Sequence, residues 1–236
     1  MAVLSLDKNI VADFESNGFV LIRNAVTDKQ IDMLAQFIES YRDDSKSPLS
    51  AGFRNLLKEK LINEFANCKS IKEIVTVFSS ESAKPVRSIF FDKTPASNWY
   101  VTWHQDLSIA VEKQIDTPGF GPWSTKEGTL HVQPPAEILE QIISLRIHLD
   151  ACPKENGAIK FIAGSHKQGL IDPHDVLQIV DANQPFICEA ERGDIIIMRP
   201  LILHSSSKST VPDHRRVLHL EYSSAKLPNG LSWTEA

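Results

Sequence analysis

His104 and Asp106, one residue apart in the run WHQD, stand with His204 and Arg215 as the side chains of this chain best suited to chemistry. Two neutral imidazoles and one carboxylate suit ferrous iron, and they leave about three of its six positions open for a co-substrate and oxygen. An arginine a short way past the second histidine can hold a dicarboxylate through paired hydrogen bonds. These residue types point to oxygen chemistry at a metal. An HxD pair alone is a weak signal in a chain with eight histidines. The later histidine and arginine give it weight.

Such a set needs strands to position it. Side chains alternate along a strand, so Thr102, His104 and Asp106 share one face while Trp103 and Gln105 point elsewhere. His204 closes the apolar run LILH, after the turn residues ERGD. Arg215 follows eleven positions later, across KSTVPDH. Arg216 is its rival for the clamp, and period-two geometry separates the two. Arg216, Leu218, Leu220 and Tyr222 form a mostly apolar face that should pack on a layer, whereas Arg215, Val217, His219 and Glu221 form the more polar one. The spacing from His204 favours Arg215. Ser206 can donate to the same carboxylate, although SSSKS also reads as a polar turn. Ser144, Arg146, His148 and Asp150 lie opposite the apolar face Ile143, Leu145, Ile147 and Leu149. That polar face either meets water or lines the same cavity, where Arg146 and His148 could hold a co-substrate or an anionic substrate.

Around these residues the chain divides by texture. Residues 7–17 read as a short helix with Asp7 as a possible cap, stopped by Gly18, and FVLI as a strand. Thr27 reads as the cap of a helix with Ile31, Leu34, Ala35 and Ile38 on its apolar face, running to about Tyr41. A loop at Ser45–Gly52 leads to helical stretches near 55–67 and 70–79. After Pro85 come eight short segments rich in β-branched and aromatic residues: VRSIFFDKT, NWYVTWHQD, TLHVQ, IISLRIHLDA, IKFIAG, PFICEA, DIIIMRPLILHSS and RRVLHLEYSS. They suit a jelly roll, two antiparallel sheets closed over a cavity, with the N-terminal helices on one sheet's outer face. Residues 107–130 carry few strand signals and read as a long insertion, part of a lid. Trp99, Phe120, Trp123 and His131 are candidate pocket residues.

Composition sets the outer bounds. The chain has 236 residues, 42% hydrophobic and 23% charged, enough for a single domain with a real core: helices over about 1–84 and a jelly roll over about 85–225. A net charge of −5 and the lack of a basic stripe give no support to a nucleic-acid partner. Cys68, Cys152 and Cys188 are scattered and form no CxxC, as expected of reduced thiols. The opening MAVLSLDKNIVADF reads as neither signal peptide nor membrane anchor, so the cytoplasm is the expected compartment. Oligomeric state is not readable.

Over most of its length the chain resembles the phytanoyl-CoA dioxygenase family of Fe(II)/2-oxoglutarate oxygenases. The likeness runs through FESNGFVLIRNAVT, FFDKTP, WHQD, ENGAIKFIAGSHKQG and LILHSSSKSTVPDHRR. The element Asn156, Gly157, Gly164, Ser165 and His166 is its more specific part, with His166 read as structural. The resemblance implies a double-stranded β-helix, a cupin-like jelly roll. It implies His104, Asp106 and His204 as iron ligands, Arg215 as the 2-oxoglutarate anchor, and Ser206 and Gln105 at positions that touch the co-substrate. Ferrous iron, 2-oxoglutarate and O2 are the implied cofactors, with ascorbate in support. Arg146 lies on the strand where phytanoyl enzymes carry a Trp, a departure that bears on the substrate. Where this class halogenates, a small residue replaces the carboxylate, so Asp106 implies hydroxylation of a small or medium-sized metabolite. Desaturation, epoxidation or ring closure at the same centre are alternatives. So are a cupin isomerase or epimerase and a metal-binding module without turnover.

Overall fold

The computed structural model describes residues 8–44, 52–94, 97–211 and 214–235. Its strands are β1 (Phe19–Ile22), β2 (Gly52–Arg54), β3 (Lys84–Lys93), β4 (Val101–His104), β5 (Ile109–Val111), β6 (Trp123–Lys126), β7 (Thr129–Val132), β8 (Ile142–His148), β9 (Ile159–Phe161), β10 (Phe186–Cys188), β11 (Ile195–Met198), β12 (His204–Ser206) and β13 (Arg215–Ser223). A six-stranded sheet in the order β1-β11-β8-β13-β3-β2 and a four-stranded sheet β10-β9-β12-β4 make up the jelly roll, and β5-β7-β6 forms a small third sheet. Every pairing is antiparallel.

Alternation sorts the large sheet's two faces. Ile143, Leu145, Ile147 and Leu149 join Leu218, Leu220, Tyr222, Ile195 and Ile197 in one buried cluster with the helices Lys8–Asn17, Asp28–Asp44, Lys60–Ala66 and Lys69–Phe78. Tyr222 also donates to the Ala66 carbonyl at 2.9 Å, tying strand to helix. The opposite face looks toward the four-stranded sheet. One half of that interior is apolar: Phe19, Ile159, Phe161, Cys188, Ile196 and Met198 pack together. The other half, where β8, β13 and β3 face β4 and β12, holds charged and polar side chains.

Local chemistry explains the element ends. Gly18, at φ 82, closes the first helix through a bond from its N–H to Phe14 O. A Cβ there would run into the His166 ring, which fits a packing role for that histidine. Thr27 and Gln30 form a reciprocal cap: Thr27 Oγ1 accepts from the Gln30 N–H, and Gln30 Oε1 accepts from the Thr27 N–H. The capped helix runs three residues past Tyr41, to Asp44. Asp7 and most of the expected loop at 45–52 lie outside the described residues.

Two expectations need correction. Leu201–Leu203 is not the end of a strand. The chain turns after β11, with the Ile202 N–H donating to Arg199 O, and His204 opens β12. The 107–130 insertion is not irregular either. It forms β5 and β6 on either side of β7, strands of three and four residues that are too short to show a clear period.

Candidate metal centre

β12 pairs with β4 so that His204 lies directly opposite His104. Asp106 follows just beyond β4, where its N–H donates to Pro200 O at 2.9 Å and anchors it to the turn before β12. Ligand atoms of the three residues all fall within 4.8 Å of one another. Asp106 Oδ1 is 3.7 Å from His104 Nε2, and Oδ2 is 3.6 Å from His204 Nε2. Each imidazole Nδ1 lies 2.9 Å from the carbonyl oxygen two residues earlier, Thr102 or Ile202. Nδ1–H donates there, which fixes the tautomer and leaves the Nε2 lone pair free on the Asp106 side.

The electrostatics match that arrangement. Burial pushes His204 down to about 4, so it is uncharged at neutral pH. Burial also pulls His104 down, but hydrogen bonding and attraction to Asp106 outweigh it and raise the ring. Burial alone would lift the Asp106 carboxyl, yet His204 and His104 hold it well below the usual carboxylate range. An ionised carboxylate between two imidazoles, with the metal taking the place of the proton that His104 otherwise favours, is a donor set that fits a ferrous ion.

The triad opens onto a cavity of about 250 Å³. Arg215 lines it, buried, with Nη1 donating to Gly157 O and lying 3.3 Å from Ser206 Oγ. Its Nε is buried without a partner, as fits a guanidinium awaiting a carboxylate. Gly157 has φ 70, and a Cβ there would sit 2.5 Å from the Ser207 carbonyl oxygen, so only glycine lets this turn reach Arg215. Arg216 points the other way, into a two-pronged pair with Asp150 at 2.9 and 2.7 Å and toward Glu39.

Arg146 also lines the cavity, its guanidinium 5.5 Å from the Phe91 ring centroid. His148 is buried, both ring nitrogens without partners, and burial with Arg146 and Arg215 nearby keeps it uncharged. The polar face of β8 thus turns inward, not to water. Trp99 lines the same cavity. Phe120 and Trp123 instead pack on Ile109, Val111, Val132 and Leu139. His131 is buried behind Arg87, with Nε2 3.4 Å from Arg87 Nη2. Gln105 faces away from the cavity: its amide donates to Gly169 O and Leu201 O and accepts from the Ile171 N–H.

Sequence reasoning missed the β3 wall. Arg87, Ile89 and Phe91 line the cavity, and Lys93 donates from Nζ to Ser206 Oγ and Ser207 O, both at 2.7 Å. Burial and the neighbouring Arg215 push Lys93 down to about 7. Lys93 pairs in register with Arg215. Charged residues fall on both faces of β3, Arg87 and Lys93 on one and Asp92 on the other, so alternation alone does not show which face meets the cavity.

A model of the phytanoyl-CoA dioxygenase family matches residues 14–217. The chain belongs to the phytanoyl-CoA dioxygenase family. This family is Fe(II)- and 2-oxoglutarate-dependent, so the chain is a 2-oxoglutarate-dependent oxygenase with those two cofactors. Peroxisomal phytanoyl-CoA dioxygenase of Rattus norvegicus is 21% identical over 264 residues, covering 94% of this chain and 71% of the relative. The double-stranded β-helix is shared with solved structures. The carbocyclase SnoK from nogalamycin biosynthesis, described as non-heme and alpha-ketoglutarate dependent, superposes with a TM-score of 0.73 at 13% identity, over 98% of this chain and 88% of that one. HygX from Streptomyces hygroscopicus, solved with nickel and 2-oxoglutarate bound, gives 0.68 at 14% identity, over 93% and 87%.

Proposed function

We propose that this family member hydroxylates an unactivated carbon of a small or medium-sized metabolite, with His104, Asp106 and His204 holding the iron and Arg215 with Ser206 holding the far carboxylate of 2-oxoglutarate. The observation that carries this reading is the convergence of the three donors within 4.8 Å beside a cavity that also receives Arg215. When bound, iron and 2-oxoglutarate supply the oxidising chemistry: one oxygen atom of O2 goes to the substrate, the other to succinate, and carbon dioxide is released.

The chain's own residues position and shield that chemistry. The Nδ1 bonds to Thr102 O and Ile202 O keep each imidazole turned to the metal. Ser206 stands between Arg215 and Lys93, in reach of both cations. Phe91, Trp99, Val101 and Ile159 form an apolar wall of the cavity. The Arg87–Glu221 ion pair, at 3.1 Å, supplies a polar patch for the substrate. With Asp106 retained as a ligand, hydroxylation is favoured over halogenation. Ring closure is the second reading, supported by the likeness in fold to a carbocyclase.

Succinate release from 2-oxoglutarate with ferrous iron and ascorbate tests the oxygenase reading. His104→Ala and Asp106→Ala are each expected to abolish it, and normal release in either variant would remove that residue from the centre. Mass spectrometry of the product separates a gain of one oxygen from a loss of two hydrogens.

A further inference from the structure

Most cations in the cavity are accounted for. Arg87 is neutralised by Glu221 at 3.1 Å and also donates to Ser108 O. Arg215 and Lys93 pair in register at one end of the cavity, beside Ser206. Arg146 differs. It makes no ion pair with a carboxylate among the described residues, and its Nε is buried without a partner. Its side-chain contact within hydrogen-bond range among the described residues is His219, whose Nδ1 lies 3.4 Å from Arg146 Nη1 while its Nε2 lies 3.3 Å from Glu221 Oε1. Arg87, Glu221, His219 and Arg146 thus form one chain of contacts with two guanidiniums and a single carboxylate. Phe91 supports the Arg146 guanidinium from below. A desolvated cation without a counter-charge is costly, and an anion entering the cavity relieves that cost.

The co-substrate does not meet this need. One of its carboxylates has Arg215 and Lys93, and the other has the net positive charge of a ferrous ion with one carboxylate ligand. Arg146 reaches the cavity from a different strand: its register partner is His219, four residues along β13 from Arg215, and it is still near enough to Arg215 for the two charges to repel. Exposed Lys126 adds a further cation near Arg87 and Arg54, with no ion pair of its own among the described residues.

Building on the oxygenase reading above, we propose that the substrate is an organic acid and that Arg146 binds its carboxylate. The chain of contacts from Arg87 to Arg146 lacks the one negative charge that such a substrate brings.

The test uses the protein loaded with nickel, which is redox-inert, and with saturating 2-oxoglutarate. A series of straight-chain and aromatic carboxylic acids, each beside its neutral primary amide, is titrated calorimetrically. The expected result is that the best acid binds roughly 10- to 100-fold more tightly than its amide, the range of a charge-assisted contact. Arg146→Gln is expected to erase that preference and Arg146→Lys to keep part of it, while 2-oxoglutarate affinity changes less than about twofold in both. The proposal is overturned if no acid is preferred over its amide. It is also overturned if Arg146→Gln weakens 2-oxoglutarate binding instead, which would assign Arg146 to the co-substrate. Failure of the protein to bind nickel and 2-oxoglutarate at all would strike the oxygenase reading itself, a separate and distinguishable outcome.

Discussion

Arg215 and Arg216 are neighbours with opposite fates, and the difference is set by strand alternation alone. Arg215 is buried in the cavity with an unpartnered Nε, while Arg216 is spent on Asp150 and Glu39 outside it. Arg215→Ala is therefore expected to weaken 2-oxoglutarate binding by about 1.5–3 kcal/mol, and Arg216→Ala to leave it unchanged, both measured by calorimetry on the metal-loaded protein. Lys93 makes a second residue-level prediction. Its folded pKa, about 7, is below its ordinary value of 10.5, because burial and Arg215 disfavour the charge. The unfolded chain then binds the extra proton between about pH 7 and 10.5. The Lys93 contribution to stability thus improves as pH rises through that window and is least favourable below it. Lys93→Met is expected to raise the melting temperature of the metal-free protein at pH 7 and flatten that rise. The same change should weaken 2-oxoglutarate binding by removing a cation from its carboxylate. A lower melting temperature in Lys93→Met would contradict this account.

At the scale of elements, the site depends on turns as much as strands. Gly157 holds a left-handed backbone against Ser207 and offers its carbonyl to Arg215. Gly157→Ala is expected to cost about 1–3 kcal/mol of stability and to weaken 2-oxoglutarate binding by moving Arg215, as read by denaturant unfolding and calorimetry on one sample. Gln105 is a different kind of element-level residue. Its amide joins the end of β4 to Gly169, Ile171 and Leu201. Gln105→Ala should cost about 1–3 kcal/mol in stability through unpaired backbone groups, with little direct effect on co-substrate affinity. Its sequence position inside HQD suggested the co-substrate, but alternation turns its side chain to the outer face. The WHQD strand, the polar β13 face and the inward-or-solvent choice for β8 were legible because period two leaves few options. Phe120 and Trp123 were not legible as packing residues, since nothing local reveals that β5, β6 and β7 pair and bury them. Arg87 and Lys93 escaped notice because β3 is mostly buried on both faces and carries charge on both, so period two does not single out the cavity side.

At the scale of the molecule, the fold separates two kinds of interior. The helices and the outer face of the large sheet enclose hydrocarbon, while the space between the sheets is apolar at one end and charged at the other. Helix-covered jelly roll was readable from the sequence as texture, eight β-rich runs after an amphipathic start. The charged half was readable only in part, through the triad and Arg215. Arg146, with no ion pair among the described residues, and the unpartnered His148 ring oppose folding in that half until ligands arrive. Metal and 2-oxoglutarate should therefore raise the melting temperature together. A ligand at a hundred times its dissociation constant adds about 2.7 kcal/mol. His204→Ala is expected to lose the metal-dependent part of that rise in a thermal shift measurement. No helix among the described residues is long and apolar enough to cross a membrane.

The most direct test is anomalous X-ray diffraction from crystals grown without oxygen in the presence of ferrous iron and 2-oxoglutarate. One iron peak is expected within bonding distance of His104 Nε2, His204 Nε2 and an Asp106 oxygen, with the far carboxylate of 2-oxoglutarate on Arg215. An iron peak away from these three residues, or a 2-oxoglutarate that leaves Arg215 untouched, would contradict the account.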